Sequence, residues 1–177
     1  MSKSKLATVW LDGCSGCHMS FLDLDERLLD LAEKIDLVYS PLVDFKTFPE
    51  DVDITLVEGS VSSDEDEEKI RVIRGRTKTL VSLGDCAVTG NVPAMRNAFS
   101  VESVLKRVYE ENVGPHRKAP FEGLPRLLPH VRPVHELVPV DVFVPGCPPS
   151  ADTIYLVLSE LLEGRTPDIA GATRFGA

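Results

Sequence analysis

The sequence predicts an α/β protein built on a doubly wound parallel sheet of about five strands. Two features carry that prediction. Short apolar runs alternate with segments whose apolar residues recur every three or four positions, the alternation of strand–helix–strand units. The runs are also near-continuously apolar, "VDVFV" at 140–144 among them, as strands covered on both faces are. At 177 residues the chain suits a single domain over 1–177, large enough to bury a core without disulfide staples.

The first strand is "KLATVWLDG", residues 5–13, an apolar run closed by Gly13. In the helix predicted over 20–36, Phe21, Leu24, Leu28, Leu31 and Ile35 make one apolar stripe. A second strand over 36–45 is broken by Pro41, which has no N–H for a ladder. "DITLVEGSV", 53–61, is the third strand. The next helix runs from Ser63 to about Arg74: Ser63 caps it, and the acids of "SSDEDEEK" fall in its first turn, where the helix dipole favours negative charge. "TKTLVSLGDC", 77–86, is a fourth strand, and 100–112 a helix with Ser100 or its neighbours as cap. Between Gly114 and Pro139, six prolines and little periodicity predict a long irregular surface excursion, of a length that usually carries function. "VDVFVPGC" is the fifth strand, and "PSADTIYLVLSELLEG" a last helix that Gly164 terminates. Five alternating strands suggest the flavodoxin-like order, and no repeat or low-complexity linker divides the chain.

The net charge of −9, from 28 acidic and 19 basic residues, supplies no basic face and argues against nucleic acid as a partner. No apolar run approaches the length of a membrane span, so no membrane insertion is expected. The opening "MSKSKLATVW" passes from two lysines into a strand without an apolar signal core or twin arginine, which predicts a cytoplasmic location. In a reducing compartment four cysteines point to metal binding or catalysis more than to disulfides.

Cys14, Cys17 and His18 stand in the spacing C-x-x-C-H. That spacing serves c-type haem, a thioredoxin-like dithiol, half a zinc site or half an iron-sulfur site. In the predicted fold Cys14 and Cys17 follow the first strand, Cys86 the fourth and Cys147 the fifth. All lie just past carboxyl ends, the edge where open parallel sheets bind ligands. Each also lies where the chain bends: Gly13, Ser15 and Gly16 surround the first pair, Gly84 precedes Cys86, and Cys147 stands between Gly146 and Pro148. Glycines let backbone approach a bulky inorganic group, and backbone N–H groups near sulfur tune its potential. Haem or a dithiol would leave Cys86 and Cys147 idle, and His18 then reads as a helix-start residue near the site rather than a ligand. Tetrahedral zinc also takes four thiolates, although structural zinc sites usually pair two C-x-x-C knuckles. A [4Fe-4S] cubane takes one such pair plus two single cysteines, and the spacing favours it. A reading of another class is FMN at the loop after the first strand, for which Ser15 and Ser20 are the only phosphate donors on offer.

The stretches "WLDGCSGCHMSF", "VEGSV", "SLGDCAVTGNVPAMRN" and "VFVPGCPPS", in this order along nearly the whole chain, resemble the small subunit of nickel-iron hydrogenases and its relative, the cluster-bearing subunit of respiratory complex I. The resemblance implies that Cys14, Cys17, Cys86 and Cys147 bind one proximal [4Fe-4S] cluster, passing electrons from a nickel-iron centre held by a separate large subunit. It also places Glu58, in "VEGS", where family members keep a carboxylate beside the subunit interface, with a proton or hydrogen-bond role. The bland alternative for Glu58 is a solvated strand-end acid.

Two departures sharpen the resemblance. Complex I subunits have adjacent cysteines at the first site, whereas Ser15 and Gly16 separate them here, as in hydrogenases. Membrane-bound and periplasmic small subunits continue into a second cluster-bearing domain. A 177-residue chain without a fifth cysteine is similar instead to the small subunit of cytosolic NAD-reducing, bidirectional enzymes, whose other clusters and flavin sit in diaphorase subunits. The large subunit and those iron-sulfur diaphorase subunits are then the expected partners, with the excursion at 114–139 as part of an interface. The alternatives within the resemblance are a complex I-type quinone oxidoreductase subunit, or a hydrogenase with another acceptor such as a ferredoxin or deazaflavin.

Overall fold

The computed structural model describes residues 3–112, 122–173 and 175. Its elements, in chain order, are β1 (Ser4–Trp10), α1 (Gly16–Leu22), α2 (Arg27–Lys34), β2 (Ile35–Tyr39), β3 (Val52–Glu58), β4 (Val61–Ser63), α3 (Asp64–Gly75), β5 (Thr77–Leu83), α4 (Asp85–Thr89), α5 (Asn91–Ala94), α6 (Val101–Lys106), β6 (Leu127–Arg132), β7 (Val142–Val144) and α7 (Ala151–Leu162). Five strands form one parallel sheet in the order β2-β1-β3-β5-β7. This is the doubly wound order the alternation predicts, with the direction of strand addition changing between β1 and β3.

Strand residues bury both faces. Leu6, Ile54, Leu56, Val81 and Leu83 point to one side, where Phe21, Leu24, Leu31, Ile154 and Leu158 cover them. Ala7, Val9, Val57 and Leu80 point to the other and meet Ile70, Ile73, Ala87 and Val134. Each fully buried leucine or isoleucine contributes about 1.5–3 kcal/mol against leaving it in water. Register then aligns the strand ends: Trp10 pairs with Glu58, Glu58 with Leu83 and Leu83 with Val144. Those four residues mark the carboxyl edge, and the loops leaving it carry all the cysteines.

Several elements differ from expectation. The helix predicted over 20–36 is two helices: it starts earlier, at Gly16, and breaks at Asp25, whose φ is +50°. The third strand stops at Glu58, because Gly59 turns the chain (φ +89°) into the separate short strand β4. In the helix over 100–112 the cap is Ser100 itself, whose side chain accepts from Ser103 N, but the helix ends as one wide turn over Arg107–Glu111. α3 follows the sequence closely, with Ser63 Oγ accepting from Asp66 N at 3.1 Å and Asp66 Oδ2 from Ser63 N at 3.0 Å.

The excursion at 114–139 is the largest correction. Its first part, to residue 121, lies outside the described residues. The rest is not irregular: β6 pairs antiparallel with β4, Val134–Glu136 makes a tight helical turn, and Val131, Val134 and Val138 are buried. Asn97 completes the edge of β6 as a strand would, donating to Val131 O at 2.9 Å and accepting from Val131 N at 2.7 Å. Among the described residues no helix is long and apolar enough to cross a membrane.

Candidate functional site

Three loops at the carboxyl edge hold the thiols. Cys14 lies in the loop from β1 and is exposed, whereas Cys17 lies in the first turn of α1 and is buried. Cys86, half-buried, is the second residue of α4, and Cys147, exposed, sits between Gly146 and a cis-Pro148. Ser15 caps α1 with φ +67°, without a side-chain bond to the helix.

The loops touch. A Cβ on Gly84, whose φ is +83°, would lie 2.2 Å from Cys17 Sγ and 3.5 Å from Gly146 O, so the absence of a side chain there lets all three loops converge. A Cβ on Gly16 would lie 3.2 Å from Cys14 Sγ and 3.9 Å from Pro148 Cβ. Ser20 Oγ donates to Pro149 O at 2.5 Å and ties α1 to the Cys147 loop. Asp85 Oδ1 accepts from Gly146 N at 2.7 Å and ties the Cys86 loop to the same place.

Sulfur receives donors from its surroundings. Gly16 N donates to Cys14 Sγ at 3.4 Å and Asn91 Nδ2 to Cys147 Sγ at 3.5 Å. Burial pushes the Cys17 thiol up, and Glu58, Cys86, Cys14 and Cys147 add to the effect. Cys86 is raised by burial and by Cys14, with a hydrogen bond from the Val92 N–H opposing, and then by Cys147 and Glu58. Cys17 and Cys86 thus each sit in the field of the other sulfurs and of Glu58, which together with burial disfavours their thiolates unless a cation joins them. Soft sulfur donors on glycine-lined loops with N–H groups aimed at them fit an iron-sulfur group. Among the described residues no three His, Cys, Asp or Glu side chains are gathered tightly enough to hold a single metal ion.

Glu58 is not the solvated acid of the bland reading: it is 1% exposed. Its Oε2 accepts from His18 N at 2.9 Å and also meets His18 Nδ1. His18, itself buried, thus lies directly behind Cys17 on α1, with its ring 6.2 Å from that of Trp10. Gly13 backs the same carboxylate, since a Cβ there would stand 3.8 Å from Glu58 Oε1. The sequence places His18 at a helix start near the site but does not reveal its bond to Glu58, 40 residues away. Nor does it reveal Asp85 and Asn91 as site residues, or that Ser20, read from the sequence as a phosphate donor, bonds Pro149 O instead, because the loops make these contacts through no local pattern. Exposed apolar side chains stand next to the site: Trp10 ends β1, Met19 lies on α1 two residues past Cys17, and Val92 bonds Cys86 through its N–H.

Comparison with known proteins places this architecture. Residues 14–161 match the family described as NADH ubiquinone oxidoreductase, 20 Kd subunit. The chain is 46% identical over 172 residues to the NAD-reducing hydrogenase HoxS subunit delta of Cupriavidus necator, an alignment covering 94% of this chain and 82% of that one. It is 32% identical over 163 residues to the sulfhydrogenase 2 subunit delta of Pyrococcus furiosus, spanning 92% of this chain but 64% of the relative. Among solved structures, a chain of an NAD+-reducing [NiFe]-hydrogenase in the H2-reduced state superposes with a TM-score of 0.94 at 45% identity, covering 98% of this chain and 99% of that one. A chain of the [NiFeSe]-hydrogenase of Dm. baculatum shares the fold, with a TM-score of 0.61 at 20% identity, covering 99% of this chain and 70% of that one.

Proposed function

Because the chain belongs to the family of the 20 Kd subunit of NADH ubiquinone oxidoreductase, we propose that it is the electron-transfer small subunit of a nickel-iron hydrogenase. In this reading Cys14, Cys17, Cys86 and Cys147 hold a single [4Fe-4S] cluster, and the nickel-iron centre sits in a separate large subunit. A cluster held there supplies a one-electron store between that centre and an onward carrier. The onward carrier is an iron-sulfur diaphorase subunit leading to a flavin and NAD, by analogy with the HoxS subunit delta at 46% identity.

One observation carries the reading. Thiols from three separated loops meet at one sheet edge: the position of a Cβ on Gly84, next to Cys86, falls against Cys17 Sγ and 3.5 Å from Gly146 O, next to Cys147. The chain's own residues then have assignable work. The N–H groups of Gly16 and Val92 and the Asn91 amide donate to sulfur and soften its negative charge. Glu58 holds His18 and with it the start of α1, which fixes where Cys17 points. The exposed side chains of Trp10, Met19 and Val92 beside the cysteines supply apolar surface that a partner subunit would cover, keeping water from the edge.

The test is iron and acid-labile sulfide per chain after anaerobic purification, with the visible spectrum of the same sample. About four of each per chain, with nickel in a copurifying subunit, is the expected result. Zinc without sulfide, a covalent haem spectrum, or flavin without iron would overturn the reading.

A further inference from the structure

We propose that Asp85 is the positioning residue that locks the Cys147 loop onto the Cys86 loop, and that it acts through its carboxylate oxygen as a hydrogen-bond acceptor. The proposal rests on the reading of the four cysteines as ligands of one cluster.

The ladder between β5 and β7 ends at Leu83 and Val144, with Gly84 N adding one more bond to Val144 O at 2.8 Å. Beyond that point α4 begins, and backbone pairing alone no longer holds the two loops together. Asp85 takes over. Its N–H donates to Gly146 O at 2.8 Å while its Oδ1 accepts from Gly146 N at 2.7 Å. The two residues bonded in this ring are the ones immediately before Cys86 and Cys147. Both are buried, Asp85 to 5% exposure, so water does not replace the acceptor. A buried N–H without an acceptor is rare in folded proteins, and Gly146 without Asp85 would have to move to find one.

Gly146 has little freedom to do so harmlessly. A Cβ on it would lie 2.7 Å from Pro149 N, so the turn is already closed on itself. Any shift that satisfies its N–H elsewhere carries Cys147 with it. An acid at the first position of α4 also has a bland explanation in the helix dipole. That explanation asks only for negative charge near the helix start, whereas Oδ1 reaches across to another loop.

The experiment compares wild type, Asp85→Asn and Asp85→Ala, each as the full chain with the subunits that accompany it, purified anaerobically. Iron, sulfide and the electron paramagnetic resonance spectrum of the reduced sample are read on each. Asparagine presents the same Oδ1 acceptor without the charge, so it retains wild-type iron and signal. Alanine loses about half or more of its iron and sulfide, since metal sites tolerate ligand displacements of only about 0.2 Å. Wild type without iron and sulfide overturns the reading of the site itself. A loaded wild type beside an equally loaded alanine variant with an unchanged spectrum overturns the proposal, as does an asparagine variant as empty as alanine. Should the alanine variant not fold, hydrogen exchange of the Gly146 amide in wild type decides: protection on the order of 100-fold is expected, and exchange at an open-loop rate overturns the proposal.

Discussion

Replacing Gly84 by alanine perturbs the point where the three cysteine loops meet. Gly84 has φ +83° and ψ +160°, a region that residues with a Cβ essentially do not occupy. Holding alanine there costs about 1–3 kcal/mol in backbone strain. The new methyl would also stand 2.2 Å from Cys17 Sγ. Ordinary contact needs about 3.5–4.0 Å, so sulfur and methyl must part by more than about 1 Å. Cys17 is buried on α1 and cannot swing outward freely, and a displacement that large is several times the tolerance of about 0.2 Å for a metal ligand. With strain near 2 kcal/mol, thermal unfolding falls by about 4–8 °C in a chain of this size. Iron and sulfide fall far more steeply, toward loss of the cluster. The assay is differential scanning calorimetry alongside metal and sulfide analysis. A Gly84→Ala chain with its full iron content and an unfolding temperature within about 1 °C of wild type would refute both the packing argument and the convergence of the loops.

The other predictions concern single contacts. On the proposed function, Cys86→Ser lowers iron and sulfide by more than about half and breaks electron transfer while leaving nickel insertion in a large subunit possible; unchanged iron and activity would count against Cys86 as a ligand. Glu58→Ala leaves the His18 N–H and ring nitrogen buried without their acceptor and costs about 2–4 kcal/mol by denaturant titration, with Glu58→Gln costing less than half of that. A loss below about 1 kcal/mol for the alanine variant would show that the contact is dispensable. Asp53 is held below its ordinary value of 3.8, chiefly by the hydrogen bond from Lys78 at 2.7 Å. Its stabilising effect is therefore full above that value and fades as pH falls below it. The stability gap between wild type and Asp53→Asn should accordingly be larger at about pH 6 than at about pH 3, and an equal gap would show that the pair contributes nothing.

What the sequence discloses and what it hides divide along a physical line. The sheet, and the placement of four cysteines at its carboxyl edge, follow from alternation and from turns marked by glycine and proline, and both are local signals. The two-helix break at Asp25 is hidden because Leu24, Leu28 and Leu31 fit one stripe whether or not a single left-handed residue interrupts it. β6 is hidden because Pro129 sits inside it. The strand exists only through its tertiary partners: β4 on one side and the Asn97 side chain on the other. Glu58 and Asp85 fall in the same class. Each stands next to a loop glycine, which marks a bend, but burial and a partner 40 or more residues away decide what the carboxylate does.

Edge strand β7 carries the last thiol, 133 residues after the first (147 − 14), and joins the sheet through three residue pairs with β5. At about 5–20 residues per second of synthesis, roughly 7–27 s separate the emergence of Cys14 from that of Cys147. Through that interval a nascent chain offers at most three of the four sulfurs. The four thiols can therefore meet at one edge only once the shortest ladder in the main sheet has docked, long after the first pair has been made.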